Sequence, residues 1–504
     1  MRVAAAATAA GAVPPFRFSR MGPKGVGRQL SEANHRRIAR AMTAGGGGAG
    51  AIPAGFTYLG QFVDHDLTFD RTSVALGTDV PPAELLQGRS PSLDLDSLYG
   101  AGPGDPGSAR FYSDGVHLRM GRTDEVGPPP LQAREGFDLP RMGGAGSRAR
   151  KRRADVPDPR NDENLAVAQT HLAMIRFHNR VVDRLPASLP ATQRFARARD
   201  TVTRHYQWML RTDFLPRIVA PAVVEDVFRN GRRAFEVGAD PASVPTMPIE
   251  FSVAAFRLGH AMVRQAYDWN AAFPSGQGTL DLLFEFSAGS GSLGGGLRLP
   301  SNWIADWRRL YDFEGEVNRA DLAPPGSVNR AMRIDTRLAR ALHALPRGST
   351  GDRTGGLHDD LAFRNLQRAR MVRLATGQQM ARFLRAKGVD VTELTRARIR
   401  DGDGGATLEG LTPRQREALL ENTPLWFYVL REAELNDGRL RGVGGRIVVE
   451  TFHRAMEGSA ASIVRDPAWR PTLGPDGTTF RMTDLLLFAF EGRKKLLAPL
   501  GNRL

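Results

Sequence analysis

The sequence predicts a mainly α-helical fold with few short strands. Segments in which apolar residues recur every three or four positions follow one another along most of the 504 residues. Stretches in which apolar and polar residues alternate, as half-buried strands require, are scarce. No shift in composition and no long linker divides the chain. One large domain over residues 16–504 is therefore expected, preceded by a flexible N-terminus over residues 1–15.

The segment over residues 52–67 is the first with a strong helical pattern. Its apolar residues Phe56, Leu59, Phe62 and Val63 lie three or four positions apart, or side by side. This spacing places them on one face of a helix.

A longer amphipathic helix is predicted over residues 163–185. Leu165, Ala168, Leu172 and Ile175 trace its apolar stripe. A polar helix is predicted over residues 31–41. Further helices with the amphipathic pattern are predicted over residues 191–215, 248–267, 327–345, 361–387, 412–421, 425–434, 446–456 and 482–493. The clearest strand-like alternation is the short Leu-Phe-Glu-Phe sequence at residues 283–286.

The net charge of +15 raises the question of an anionic partner such as nucleic acid. The chain has only five lysines, and its excess charge is arginine spread over the whole length. The one cluster, residues 148–153, is interpreted as a solvated loop rather than as a nucleic-acid patch. No specific nucleic acid is therefore expected as a partner.

The cysteine count and the apolar runs exclude further classes. With no cysteine, the chain has neither a disulfide framework nor a thiol nucleophile. The longest apolar run, residues 485–490, is too short to cross a bilayer. Residues 1–13 are rich in alanine and lack the apolar core of a signal peptide.

The most informative motif is the sequence GQFVDHD at residues 60–66. Gln61 and His65 are four residues apart and so share one face of the predicted helix. Asp64 and Asp66 are rotated by about 100° to either side of His65. Such a helix could direct a base at one ligand and a carboxylate at another. Taken alone, the triplet could equally be a helix end in water.

Four more segments follow the first motif in a fixed order. They are residues 90–100 (SPSLDLDSLYG), 158–164 (DPRNDEN), 256–260 (FRLGH) and 365–368 (NLQR). Together the five segments resemble the animal-type haem peroxidase superfamily, which contains myeloperoxidase, peroxidasin and cyclooxygenase. The resemblance covers roughly residues 16–490 and is strongest to the bacterial branch. It implies helices that surround a buried haem b.

On the distal side of the haem, the resemblance implies three roles. His65 matches the base that takes a proton from bound hydrogen peroxide and returns it to the leaving oxygen, as a neutral histidine can near pH 7. Arg160 matches the arginine whose permanent charge stabilises the breaking O–O bond. Gln61 matches the residue that lines the distal cavity.

On the proximal side, His260 matches the ligand of the haem iron. Asn365 matches the residue that bonds to the other ring nitrogen of that ligand and orients it. Arg257 matches the arginine that pairs with one haem propionate, and Arg368 could reach the other, although an ordinary surface arginine would look the same.

Two further carboxylates match residues that form ester bonds to haem methyl groups in animal relatives. They are Asp64 and Glu163, so ester-linked haem is chemically possible. Asn164 stands where myeloperoxidase has the methionine of a sulfonium bond, so that third bond cannot form here.

The resemblance also implies a calcium site. Ser90, Ser92, Asp94 and Asp96 are expected to alternate along an extended piece, and with Asp66 they match the calcium ligands of the family. Because Asp66 follows His65, the ion would brace the distal helix. Without the family context, the loop could be an acidic turn.

His171 and His178 lie seven residues apart on the helix predicted over residues 163–185. Such a spacing can suggest a metal site. The sequence His178-Asn179-Arg180 recurs in this fold as packing, so both histidines are interpreted as structural.

The predicted function is a haem-dependent peroxidase that reduces hydrogen peroxide and oxidises organic donors, halides or pseudohalides. One alternative is a fatty-acid dioxygenase on the same scaffold, but those enzymes carry a tyrosine three residues before the proximal histidine, where this chain has Arg257. Another is a haem-binding protein without turnover. A calcium site fills more readily outside the cell, which favours export.

Overall fold

The computed structural model describes residues 16–27, 29–126, 136–346 and 356–502. The N-terminus over residues 1–15, predicted to be flexible, lies outside the described residues. The α-helices are α1 (Glu32–Thr43), α2 (Gly55–Leu67), α3 (Asp96–Tyr99), α4 (Arg148–Arg152), α5 (Leu165–Arg184), α6 (Ala191–Met209), α7 (Leu215–Ile218), α8 (Pro221–Asn230), α9 (Gly259–Met262), α10 (Leu280–Glu285), α11 (Phe313–Val317), α12 (Leu361–Met371), α13 (Gly377–Ala386), α14 (Arg396–Asp401), α15 (Pro413–Glu421), α16 (Leu425–Glu434), α17 (Val443–Glu457), α18 (Met482–Ala489) and α19 (Lys494–Leu497).

Tighter and wider helical turns connect several of these helices. The 3₁₀ turns are Pro82–Glu84, Ala109–Phe111, Pro159–Asp162, Ala255–Leu258, Leu293–Gly295, Ser301–Trp303, Trp307–Arg309, Ala320–Leu322, Arg340–His343 and Gly356–Asp359. The π-helical turns are Leu210–Phe214 and Glu250–Ala254. The second π turn leads directly into the segment that carries His260.

The strands are short and form two-stranded pairs. They are β1 (Phe18–Ser19), β2 (Ala49–Pro53), β3 (Gly121–Arg122), β4 (Phe137–Asp138), β5 (Met247–Pro248), β6 (Ala266–Tyr267), β7 (Gly278–Thr279) and β8 (Arg330–Met332). β1 pairs with β5 in parallel, whereas β2 with β8, β3 with β4, and β6 with β7 are antiparallel. The prediction of a mainly α fold with few short strands is confirmed.

Helix bounds differ from prediction where tertiary contacts outweigh the local pattern. The helix predicted over residues 327–345 is wrong, because Arg330–Met332 pairs with β2 instead. The strand predicted over residues 283–286 is also wrong, since α10 occupies that segment and is capped by the Thr279 side chain. The single helix predicted over residues 361–387 is two helices, interrupted at Arg373, whose φ is +45°. The basic tract, predicted as a loop, forms the short exposed helix α4.

One continuous apolar cluster holds the helices together. α5 packs against α2, α6 and α18, and α16 packs against α13 and α17. All residues of α16 are buried, as are most of α5 and α17. α2 therefore lies between the core helix α5 and the segment around α9. No helix in the described ranges is both long and apolar enough to cross a bilayer.

Candidate active site

The position of α2 fixes the orientation of the first motif. The side chains of Phe56, Leu59, Phe62 and Val63 are completely buried, as the predicted apolar face requires. At the start of the helix, Gly55 lies so close to Tyr311 that an added Cβ would be 2.3 Å from its ring. The helix is thus anchored at its beginning, and its last turn presents the polar side chains.

His65 lies in a polar cluster and is 4% exposed. Its Nδ1 is 2.9 Å from Oδ1 of Asn161. Its Nε2 is 3.5 Å from Oε1 of Glu163. Both partners come from the segment before and at the start of α5, so contact between α2 and that segment builds the site.

Arg160 is held beside His65 by a buried carboxylate. Its Nη2 donates to the main-chain oxygen of His65 (2.9 Å), and its Nε and Nη2 donate to Asp158 (3.0 and 2.7 Å). Nε of Arg89 donates to the same carboxylate (2.8 Å), and the Phe69 ring lies 4.2 Å from the Arg160 guanidinium. This arrangement fixes the planar charge of Arg160 beside the main chain of His65.

Asp158 is completely buried, yet it remains ionised. Burial raises the pKa of its carboxyl, but the charge and hydrogen bonds of Arg160, together with the charge of Arg89, outweigh burial and hold the pKa well below its ordinary value. Sequence analysis missed this residue, although it lies within the second family segment. An aspartate directly before proline is a typical helix N-cap, and Asp158 does cap the turn Pro159–Asp162.

Gln61, Glu163 and Asn164 form a hydrogen-bonded row on the same side. Nε2 of Gln61 donates to Oε1 of Glu163 (2.5 Å), and Nδ2 of Asn164 donates to Oε1 of Gln61 (2.9 Å). Oδ1 of Asn164 accepts from Val167 N and so caps α5. Asn164 thus orients Gln61.

His260 lies in a segment that changes helix type along its length. The chain passes from the π turn Glu250–Ala254 through the 3₁₀ turn Ala255–Leu258 to the four-residue helix α9. Burial and the charge of Arg257 lower the pKa of His260 to about 3, so its ring is neutral near pH 7. Nδ1 is 2.9 Å from Nδ2 of Asn365. As an iron ligand through Nε2, His260 would carry its proton on Nδ1, and the Asn365 amide, turned by about 180°, would present its oxygen as the acceptor. Nε2 has no hydrogen-bond partner among the described residues. A neutral imidazole with one nitrogen anchored and the other available is of a kind that could hold haem iron.

Asp64 and Arg257 connect the helix of His65 to the segment of His260. Nη1 of Arg257 is 3.3 Å from Oδ2 of Asp64, and Nε of Arg257 donates to the oxygen of Ser252 (2.7 Å). The predicted propionate arginine and a predicted ester carboxylate therefore meet at one place. Arg368 lies near Asp70, with 3.6 Å between Nη2 and Oδ2, and 40% of its side chain is exposed.

Asp66, Asp94 and Asp96 form a compact acidic cluster, in which one carboxylate oxygen of each lies within 4.8 Å of the others. Burial raises the pKa of Asp66 well above its ordinary value, and the charges of Asp96 and Asp94 raise it further. Burial likewise raises the pKa of Asp96 to about 7. Oδ2 of Asp66 and Oδ1 of Asp96 are buried without a hydrogen-bond partner. Unpaired carboxylate oxygens grouped in this way fit a hard cation such as calcium.

The loop that carries the cluster is not the extended piece that the sequence predicts. It turns tightly, Leu95 adopts a left-handed φ of +61°, and α3 begins at Asp96. Oγ of Ser90 donates to Asp94 (2.9 Å), whereas the hydroxyl of Ser92 donates to the main-chain oxygen of Gly458 (3.3 Å). The turn brings the two aspartates together, which simple alternation along a strand would not do.

The animal haem peroxidase model matches residues 52–393. The chain belongs to the animal haem peroxidase family. Family membership implies a haem cofactor and an oxidoreductase.

Curated relatives include thyroid peroxidases. That of Canis lupus familiaris is 27% identical over 378 residues, which cover 68% of this chain and 35% of the relative. That of Mus musculus is 29% identical over 225 residues, which cover 39% of this chain and 23% of the relative. The chain thus spans about a third or less of the length of these proteins.

Solved structures share the fold. Peroxidase A from Dictyostelium discoideum superposes with a TM-score of 0.62 at 17% identity, covering 96% of this chain and 94% of the other. The Oryza sativa fatty acid alpha-dioxygenase superposes with a TM-score of 0.54 at 9% identity, covering 95% of this chain and 80% of the other. The fold is therefore common to peroxidases and dioxygenases, and the site residues must decide between them.

Proposed function

We propose that the protein is a haem peroxidase that reduces hydrogen peroxide and oxidises small organic donors, halides or pseudohalides. The observation that carries the proposal is the buried cluster in which His65 and Arg160 lie side by side, fixed by Asn161 and Asp158. A base and a permanent cation in one desolvated place are what heterolysis of an O–O bond requires.

His65 moves the proton in this reaction. Its Nε2 accepts the proton from one oxygen of hydrogen peroxide and delivers it to the other oxygen, which leaves as water. Arg160 stabilises the negative charge that develops on the leaving oxygen, because its guanidinium cannot lose its proton near pH 7. Haem, when bound, would supply the two electrons that reduce hydrogen peroxide and would recover them from two molecules of an organic donor or from one halide.

His260 and Asn365 would hold the haem from the other side. Nε2 of His260 is the ligand atom, and the 2.9 Å contact between Nδ1 and Asn365 orients the ring. Arg257 would pair with a propionate, and Arg368 is a weaker candidate for the other, since 40% of its side chain is exposed and it lies near Asp70.

We infer that the haem is ester-linked through Asp64 and Glu163. Asp64 contacts Arg257, the proposed propionate partner, and Glu163 contacts both Gln61 and the distal histidine. Each carboxylate therefore lies beside a residue that is proposed to contact the haem. Calcium at the cluster of Asp66, Asp94 and Asp96 would brace the end of α2, with Ser90 and Ser92 on the same loop.

The competing function is a fatty-acid dioxygenase. It needs a tyrosine beside the proximal histidine, and Arg257 occupies that position. Tyr267, the nearest tyrosine along the chain, has its hydroxyl in hydrogen bonds to Tyr58 (2.8 Å) and to the main chain of Arg264 (3.0 Å). These contacts favour the peroxidase.

The two functions separate in one assay of the purified, haem-loaded protein. A peroxidase oxidises guaiacol with hydrogen peroxide and consumes no oxygen when a fatty acid is added. A dioxygenase consumes oxygen stoichiometrically with the fatty acid. A panel of chloride, bromide, iodide and thiocyanate then identifies the donor.

A further inference from the structure

The distal histidine is connected to a second histidine through one asparagine. Nδ1 of His65 contacts Oδ1 of Asn161 at 2.9 Å, and Nδ2 of the same amide contacts Nδ1 of His171 at 2.8 Å. Asn161 and His171 are both completely buried, so no water competes for these contacts. The row runs from α2 through the turn Pro159–Asp162 to α5.

Asn161 also links two imidazoles whose proton positions then depend on each other. In the orientation that the structure has, His65 carries its proton on Nδ1, the amide oxygen accepts it, and the amide N–H donates to a lone pair on His171. A rotation of the amide by about 180° would reverse every donor and acceptor in the row. His65 would then carry its proton on Nε2.

Only the first of these two arrangements, with the His65 proton on Nδ1, suits a base. Transfer of a proton from hydrogen peroxide to Nε2 of His65 requires a lone pair on that atom, and the resulting imidazolium requires an acceptor at Nδ1. The amide oxygen of Asn161 is such an acceptor. His171 stabilises this arrangement because its lone pair accepts from the amide N–H of Asn161. A buried amide N–H without a partner would cost free energy.

A neighbouring carboxylate favours the opposite setting. Before any ester bond forms, Oε1 of the Glu163 carboxylate lies 3.5 Å from Nε2 of His65, and a proton on Nε2 would be attracted to it. Without Asn161, His65 would therefore donate to Glu163 through Nε2 and lose the lone pair that faces the peroxide. The two contacts of His65 compete for its proton.

The remaining surroundings of His171 support a role in this row. Among the described residues, Nδ1 of His171 has Asn161 as its hydrogen-bond partner. Nε2 of His171 is buried and has no partner there. Phe62 packs edge-on against its ring at 5.7 Å. In contrast, both nitrogens of the buried His178 on the same helix are bonded, to Tyr99 at 3.0 Å and to Val116 at 2.9 Å.

We propose that Asn161 and His171 are positioning residues that hold the proton of His65 on Nδ1 and so keep Nε2 available to hydrogen peroxide. The inference rests on the proposed function, because it assigns the residues that prepare the base for the same reaction.

The first test reads the tautomer directly and does not depend on turnover. The histidine ring nitrogens are labelled with ¹⁵N, and NMR spectra are recorded on the haem-loaded ferrous protein with carbon monoxide, which is diamagnetic. The His65 signals are assigned by their loss in His65→Gln. We expect a protonated Nδ1 in the natural protein, a protonated Nε2 in Asn161→Leu, and a mixture in His171→Phe. A protonated Nε2 in the natural protein would overturn the proposal.

The second test separates proton transfer from general damage to the site. In stopped-flow experiments, Asn161→Leu should slow the reaction with hydrogen peroxide by about tenfold or more. It should leave nitric oxide binding unchanged, since that ligand brings no proton. Asn161→Asp restores an acceptor and should recover most of the rate, and it also tests the proposal if the leucine variant does not fold. His178→Gln, a matched buried histidine, should change neither rate.

The proposal would be contradicted if Asn161→Leu slowed the reaction with hydrogen peroxide and the binding of nitric oxide equally. It would also be contradicted if Asn161→Leu did not change the rate with peroxide. If the natural protein holds the proton on Nδ1 but does not react with peroxide, the proposed function fails and the positioning role stands.

Discussion

The distal and proximal sides of the site are built by different means. His65 lies in the last turn of a regular helix and is surrounded by a charged and hydrogen-bonded network that includes Arg160, Asp158 and Glu163. His260 lies in a segment that changes from π to 3₁₀ to α geometry, and one amide, that of Asn365, orients it.

The difference corresponds to the roles proposed for the two histidines. A base that exchanges a proton needs neighbours that fix its tautomer and stabilise charge. A metal ligand needs a neutral ring held at one angle, which packing and a single hydrogen bond provide. The distal side should therefore be sensitive to changes in charge, and the proximal side to loss of the ring itself.

The largest effect is expected for removal of the proximal ring. His260→Ala should abolish stoichiometric haem binding, because Nε2 is the proposed ligand atom. Asn365→Leu should retain haem, since it removes only the orienting bond. The ratio of Soret to protein absorbance after haem addition measures both. Full haem content in His260→Ala would remove the ligand assignment.

The next largest effect is expected for removal of the Asp158 charge, which pairs with Arg160 and Arg89. Asp158→Asn should lower the free energy of unfolding by about 3 kcal/mol at pH 7, because two arginines lose their buried counter-charge. The pKa of Asp158 lies below its unfolded value, so its stabilisation is present above about pH 4 and is lost as the pH falls further.

Urea unfolding at several pH values tests the direction of this pH dependence. The difference between the natural protein and Asp158→Asn should shrink as the pH falls below about 4. A difference that stays constant with pH would show that the carboxylate acts through shape rather than charge.

A smaller effect is expected from removal of calcium. Without a cation, the grouped carboxylates of Asp66, Asp94 and Asp96 repel one another, so a chelator should lower both the melting temperature and the activity. Calcium should restore both, and Asp94→Asn should reduce the sensitivity to the chelator. Pure protein that contains no calcium and does not respond to chelation would reject the site.

The mildest effect concerns attachment of the haem. After exposure to peroxide, the haem should resist extraction by acidified solvent, and it should become extractable in an Asp64→Val, Glu163→Gln double variant. Asn164 supplies no sulfur, so the Soret shift should be milder than in myeloperoxidase. Free extraction from the natural protein would make the two carboxylates hydrogen-bonding neighbours only.

The sequence was sufficient for the helices with a clear apolar stripe and for the motifs they carry. α2 and α5 follow their predicted patterns because burial of one face determines both. The pairing of β2 with β8 was not predictable, since it depends on residues far apart in the chain.

In the candidate site, too, the motifs predicted some residues, whereas contacts between distant segments determined their partners. Residues within the family segments could be located by their order, but the partners that fix them could not. Asp158 and Asn161 lie within a quoted segment, yet their contacts depend on the 3₁₀ turn that aims their side chains. His171 was interpreted as structural, because spacing along a helix does not reveal a contact made through another residue.

The most direct test of the account is the rate at which the haem-loaded protein reacts with hydrogen peroxide in a stopped-flow instrument. We expect His65→Ala to slow this reaction by about 10²-fold or more while the haem content stays the same. His178→Gln, which alters a buried histidine that makes no hydrogen bond to His65, Asn161 or His171 among the described residues, should react at the rate of the natural protein. An unchanged rate in His65→Ala, with haem fully bound, would contradict the assignment of His65 as the base.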